Sequence, residues 1–157
     1  MSHELLEAAV DRGVRTANEI APLVNDEAKL LESFAVGDVS HQGDLILIAI
    51  ATLPNSAQPR ANRQLADGTT QGSRHVLERG DVFDCDAADV VFAIKAATKC
   101  DVDDRYIGPV FVSPEQPTAN DLAHPEHGNQ GFPAGSVIAV VYQRNQDAEE
   151  HEQRVMD

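Results

Sequence analysis

The chain has 157 residues, and 26 acidic side chains against 12 basic ones give a formal net charge of −14, a sign that repels phosphate backbones and anionic lipid. Nucleic acid and membranes are therefore not its expected partners, and the longest apolar run, residues 45–51, falls well short of the ~20 residues that cross a bilayer. Only 4% of the residues are aromatic and Trp is absent, so Val, Ile, Leu and Ala must fill the core, and the aromatic platforms usual in glycosidases are lacking.

Ser2 is a plausible helix cap, and Leu5, Leu6, Ala9, Val10 and Val14 recur at helical spacing, which predicts an amphipathic helix over 3–21. Pro22 interrupts it. Asn25, Asp26 and Glu27 then supply a new cap and an acidic first turn for a second helix carrying Leu30, Leu31 and Phe34, with Gly37 as its stop. The texture changes after this arm. Leu45-Ile46-Leu47-Ile48-Ala49-Ile50 is a continuous branched run with turn residues beyond it, the pattern of a strand buried on both faces. Val90-Val91-Phe92-Ala93-Ile94, Val110-Phe111-Val112 and Val137-Ile138-Ala139-Val140-Val141-Tyr142 are read as further strands. Polar connections occupy 54–64, 67–73, 101–105 and 113–131, and the last is long enough to suggest a functional loop. The tail after Asn145 is polar and acidic. The expected architecture is mainly β, a small β-barrel or sandwich over 39–157, behind a helical N-terminal arm over 1–38.

Three of the six histidines fall in the connections of the β region: His75 after Gln71-Gly72-Ser73-Arg74, and His124 and His127 in His124-Pro125-Glu126-His127-Gly128. Two imidazoles three residues apart on a tight turn can converge on one cation, and a third from another strand end would complete a facial set. Zinc, iron, manganese or nickel would accept these nitrogens, and Glu126 or Glu78 could add a carboxylate. The plainer alternative is that each histidine caps a turn or bonds a neighbouring carbonyl. The spacing differs from the HExxH of zinc hydrolases, and Pro125 disfavours a helix there. Arg74 and Arg144 suggest a pocket for a small anion, with Gly72 allowing close backbone approach, against the simpler reading of salt bridges to nearby carboxylates.

Nucleophile chemistry finds little support. Cys85 and Cys100 form no CxxC pair, and carboxylates flanking Cys85 would raise its thiol pKa, so reduced, buried and inert thiols are expected in a cytoplasmic protein without a secretory leader. Ser73 lies close to His75, but no third group is fixed by spacing to complete a relay.

Gln42-Gly43-Asp44-Leu45, Leu65-Ala66-Asp67-Gly68, Thr70-Gln71-Gly72-Ser73-Arg74-His75, His124-Pro125-Glu126-His127-Gly128, Pro133-Ala134-Gly135 and Tyr142-Gln143-Arg144, in this order, resemble a family of small uncharacterised proteins of bacteria and their phages over 42–157. The resemblance implies a domain boundary near residue 40 and a shared site at His75, His124 and His127, and it carries no activity. Many relatives read GHAH where this chain has Gly72-Ser73-Arg74-His75, so one potential ligand is missing here. Phe132-Pro133-Ala134-Gly135 is also similar to the PxG segment of cupins, which makes a cupin-like jelly roll one candidate form, although Ile138 stands in place of the cupin ligand.

These readings lead to a small binding or regulatory domain whose polar site, with His75, His124 and His127, takes a divalent transition metal or, with Arg74 and Arg144, a small anion. The alternative is a structural or assembly protein, for example of a phage particle, that forms a homo-oligomer or grips a partner through residues 1–38. The third is a metal-dependent enzyme with Glu126 as general base. The expected location is the cytoplasm, or the virion for a phage-encoded protein.

Overall fold

The structure, a computed structural model, describes residues 27–66 and 75–143. The helix expected at 3–21, Arg74, Arg144 and the acidic tail lie outside the described residues. No helix among the described residues is long and apolar enough to cross a membrane.

Among the described residues eleven short strands run in chain order: β1 Lys29–Leu30, β2 Val39–Gln42, β3 Leu45–Ile50, β4 Gln58–Pro59, β5 Gln64–Ala66, β6 His75–Leu77, β7 Asp81–Asp84, β8 Ile107–Val112, β9 Leu122–Ala123, β10 Gln130–Gly131 and β11 Val137–Tyr142. One α-helix, α1 Ala87–Thr98, lies between β7 and β8, followed by a 3-10 turn at Asp104–Tyr106. The fold is mainly β, as expected, and its strands form two sheets that do not close into a barrel. One has the order β1-β10-β9-β6-β5, the other β2-β3-β11-β8-β7-β4.

The apolar runs explain how these parts stack. Side chains alternate across a strand, so in β3 Leu45 and Leu47 join one core cluster while Ile48 and Ile50 join another. In β11, antiparallel to β3 with Val140 opposite Leu47, Ile138 and Val140 face the first cluster, and Ala139 and Val141 the second. The first cluster includes Leu65, Leu77, Leu122 and Phe132 from the five-stranded sheet and its flank, and the second includes Val90 and Ile94 of α1. The six-stranded sheet is thus the middle of three layers. This is why its central strands read as unbroken branched runs rather than alternating ones.

Two expected elements take a different form. Val90–Ile94 is part of α1, not a strand. Alanines at 87, 88, 93, 96 and 97 give the wider window strong helix propensity, and Val90 and Ile94, four apart, are buried while Phe92 is 76% exposed. A five-residue apolar run alone cannot separate these cases. The second helix expected after Asn25 does not form over the described residues either. Lys29–Leu30 is a strand parallel to Gln130–Gly131, and Leu31 and Phe34 pack against the first core, with the Phe34 and Phe132 rings 5.0 Å apart. Here burial against a distant strand overrides local propensity. Gly37, expected to stop that helix, has none to end; it adopts φ +95° in the turn before β2, and its N–H donates to the Ala49 carbonyl.

The connection 113–131 contains β9 and β10 and is pinned internally. Buried Asp121 accepts from the Thr118 N–H at 2.8 Å, from the Thr118 hydroxyl at 2.7 Å and from Arg79 Nη1 at 3.3 Å. Phe132 leaves this segment fully buried, between Phe34 and Phe111. Phe132→Ala should cost about 3–5 kcal/mol of unfolding free energy, measured by urea denaturation. A loss below about 1 kcal/mol would show that the Phe34 segment is not seated on this core.

Candidate functional site

The polar site is built where the two sheets meet. From the six-stranded sheet comes the β2–β3 hairpin, whose turn is Gly43-Asp44, with Gly43 at φ +58°. From the five-stranded sheet come His75, the first residue of β6, and His124, immediately after β9. The turn His124-Pro125-Glu126-His127-Gly128 carries the third imidazole.

The three rings are brought together. The His75 and His124 centroids are 4.3 Å apart, His124 and His127 4.5 Å, and His75 and His127 6.4 Å with ring planes within 6° of parallel. His124 stands at the corner of this triangle. His75 is 1% exposed and His124 6%, so both lie in the interior, while His127 is half-buried. His127 lies over the hairpin turn: a Cβ on Gly43 would be 2.7 Å from its Nε2, which only glycine avoids at this φ.

Gln42 fixes the protonation of His75. Its Nε2–H₂ donates to the carbonyls of Leu122 and Gly128, each at 3.0 Å, so its Oε1 must be the atom facing His75 Nδ1 at 2.8 Å. An oxygen can only accept, so His75 carries its proton on Nδ1. In the neutral ring the Nε2 lone pair then points at Asp44 Oδ1, 3.1 Å away. Burial, followed by the neighbouring His124, pushes the His75 pKa down to about 4, against the opposing hydrogen bond and charge of Asp44. A neutral His75 therefore sets two acceptors face to face, whereas a protonated one donates to both oxygens. His124 has the opposite tautomer. Its Nδ1 accepts from the N–H of Glu126 at 2.9 Å and of His127 at 3.2 Å, leaving the proton on Nε2. Burial, then His127, holds its pKa below the usual histidine value.

The other sequence candidates are placed more plainly. Glu126 and Glu78 are exposed. His41 is exposed on β2, and its carbonyl accepts from Gln130 Nε2. Both cysteines are free, and Cys100 is exposed rather than buried. The Cys85 thiol is pushed up to about 11, by burial first and then by Asp84, Asp89 and Asp86, as the flanking carboxylates imply. Among the described residues no group of three or more His, Cys, Asp or Glu side chains is arranged to hold a metal ion. Gln42 and Asp44 are functional candidates that spacing alone did not single out. The one available signal was the Gln42-Gly43-Asp44 turn at the head of the longest apolar strand.

Fold and site together define a two-sheet β domain with a histidine cluster at the sheet junction. Residues 41–143 match the model of a domain of unknown function, DUF8820, and the chain belongs to that family. The match takes in Gln42, Asp44 and all three clustered histidines, and stops one residue before Arg144. No curated protein and no solved structure matches the chain.

The depressed His75 pKa sets a pH window. Unfolded His75 titrates near 6.5 and the folded residue near 4, so below about pH 6.5 the unfolded chain takes up a proton that the folded state refuses. Chelator-treated protein should lose stability as pH falls from 6.5 towards 4, by roughly 3 kcal/mol from this residue. Urea midpoints across that range should fall more steeply for wild type than for His75→Gln. Parallel curves would show that His75 is not held neutral.

Proposed function

We propose that this domain binds one divalent transition-metal ion, with His75 Nε2 and Asp44 as its first donors and His127 drawn in from its half-buried turn when the ion binds. The observation that carries this reading is the pair of acceptors 3.1 Å apart with the proton of His75 committed to Gln42. Two lone pairs so placed repel, and a cation bound by both removes that repulsion. Donors bound to one ion at about 2.1 Å stand roughly 3.0–3.4 Å from each other, at octahedral and tetrahedral angles respectively, so the pair is already spaced for it. The His75 Nδ1–H donated to a carboxamide oxygen is the outer-sphere bond that orients metal-ligating histidines.

Charge favours a cation over an anion. Asp44 faces the cluster, Glu126 adds a carboxylate nearby, and the chain carries a net charge of −14. The role is binding or regulatory. The imidazole-carboxylate donor set suits zinc, iron, manganese or nickel rather than magnesium or calcium, which take oxygen ligands.

Protein purified without a metal-binding tag or chelator should contain about one equivalent of one of these metals by elemental analysis. His75→Ala should abolish it, and Asp44→Asn should weaken affinity by about tenfold or more in a competition titration. Unchanged metal content in His75→Ala, or no binding of any of the four ions by wild type, would rule the site out.

A further inference from the structure

On the α1 side of the middle sheet, the face turned away from the second sheet, lies a groove of about 400 Å³. Phe92, Ala93, Ala96 and Ala97 of α1 line it together with Val36 and Leu53, and Asp89 is its only charged lining residue. Among the described residues, Phe92 at 76% and Val36 at 55% are the two most exposed large hydrophobic side chains, and both stand on this groove. Large apolar groups gathered on one surface mark a place where another surface binds. The alanines at 93, 96 and 97 lie three and four apart on α1, on one side of the helix, and their small side chains let a second helix approach closely.

We infer that this groove is filled by the chain's own N-terminal segment, with residues 3–21 lying along α1 as an amphipathic helix. The segment carries the matching surface in its sequence. At about 100° per residue, Leu5, Leu6, Ala9, Val10, Gly13 and Val14 share one face of the predicted helix. At 1.5 Å rise per residue Leu5 to Val14 span about 13 Å, close to the ~12 Å from Asp89 to Ala97 on α1. Arg12, a seven-residue step after Leu5, borders this stripe and is the group that meets Asp89, while Glu4 and Asp11 fall on the opposite face.

Reach and charge favour the chain's own segment over a second copy. The chain from Lys29 to Val36 spans at most about 25 Å, and that from Ala21 to Lys29 up to about 28 Å, so Ala21 can lie beside the groove. A segment tethered this closely acts at an effective concentration in the millimolar range. Two grooves pressed together would instead set Asp89 against Asp89, between chains of net charge −14 each.

Backbone hydrogen exchange of the whole chain at micromolar concentration tests this. Amides of residues 6–17 should exchange about tenfold or more slowly than in a free peptide of residues 1–26, and the slowing should persist on dilution. Phe92→Glu, at an exposed position of α1, and Val10→Glu, in the segment itself, should each return these amides to the peptide rate, with β3 and β11 as protected as in wild type. Glutamate is at least as good a helix former as the residue it replaces, so the loss would report docking rather than helix propensity. Nuclear Overhauser contacts should join the Phe92 ring to methyl groups of Leu6, Val10 or Val14, and in a mixture of labelled and unlabelled chains they should stay within one chain. Exchange at the peptide rate in wild type would overturn the inference, as would slowing that survives both substitutions. Slowing lost on dilution, or contacts between chains, would overturn it too and give the groove to a second copy. None of these readouts depends on the histidine cluster.

Discussion

The structure turns on one buried amide. Gln42 is 2% exposed, and among the described residues all the hydrogen bonds of its side chain go to the other sheet or to the turn beside it: two donated, to Leu122 and Gly128, and one accepted, from His75. A buried carboxamide left unpaired costs about 1–3 kcal/mol per group, whereas a fully paired one rigidifies its surroundings. The amide ties the β2–β3 hairpin to β9, to the His124–Gly128 turn and to β6 at once. It also places a proton on His75 Nδ1, while Asp44 Oδ1 is the acceptor at the other ring nitrogen. Junction of the sheets and chemistry of the site are therefore the same three hydrogen bonds.

A second layer of support comes from the middle sheet. Because β3 and β11 bury both faces, their register is strongly specified: a slip by one residue would exchange the side chains facing α1 with those facing the second sheet. The pairing of Gln42 with Leu45 across the hairpin, continuous with Tyr142 opposite Leu45, fixes where Gly43-Asp44 falls relative to that register. Asp44 thus reaches His75 because an apolar strand, itself unrelated to the site, cannot move. Ser40 and Gln130 add a polar stitch between the same two sheets, at 2.7 Å.

How far this was legible in the sequence depends on the range of the interaction that decides each element. Leu45–Ile50 and Val137–Tyr142 could be read directly, since their composition reflects burial on both faces. Val90–Ile94 could not, because a five-residue run fits either period and the decision lay in the alanines around it. Lys29–Leu30 was legible least of all: its state is set by Gln130–Gly131, a hundred residues along the chain. The site divides the same way. The turn chemistry of 124–128 and the placement of His75 at a strand end marked the three imidazoles, and they do lie together. Which nitrogen of each ring carries the proton depends on Gln42 and on two backbone N–H groups, and no spacing rule encodes that. Asp44 was visible only as part of a turn motif.

The contrast between the two donors of the proposed site explains how such a site can exist without an ion. His75 is locked in the interior, whereas the Asp44 side chain is 73% exposed. Water can therefore solvate the carboxylate and relieve much of the repulsion between the facing lone pairs, so the arrangement need not strain the fold. The neutral imidazole is what remains preorganised: burial lowers its pKa to about 4, keeping the Nε2 lone pair available at pH 7 where an exposed histidine would already be partly protonated. Protons and metal ions compete for the same lone pair, and burial penalises the proton because it leaves a charged ring in the interior. An ion that brings Asp44 in as a counter-charge escapes much of that penalty. In the proposed site, the burial of His75 rather than the number of histidines would favour a metal ion over a proton.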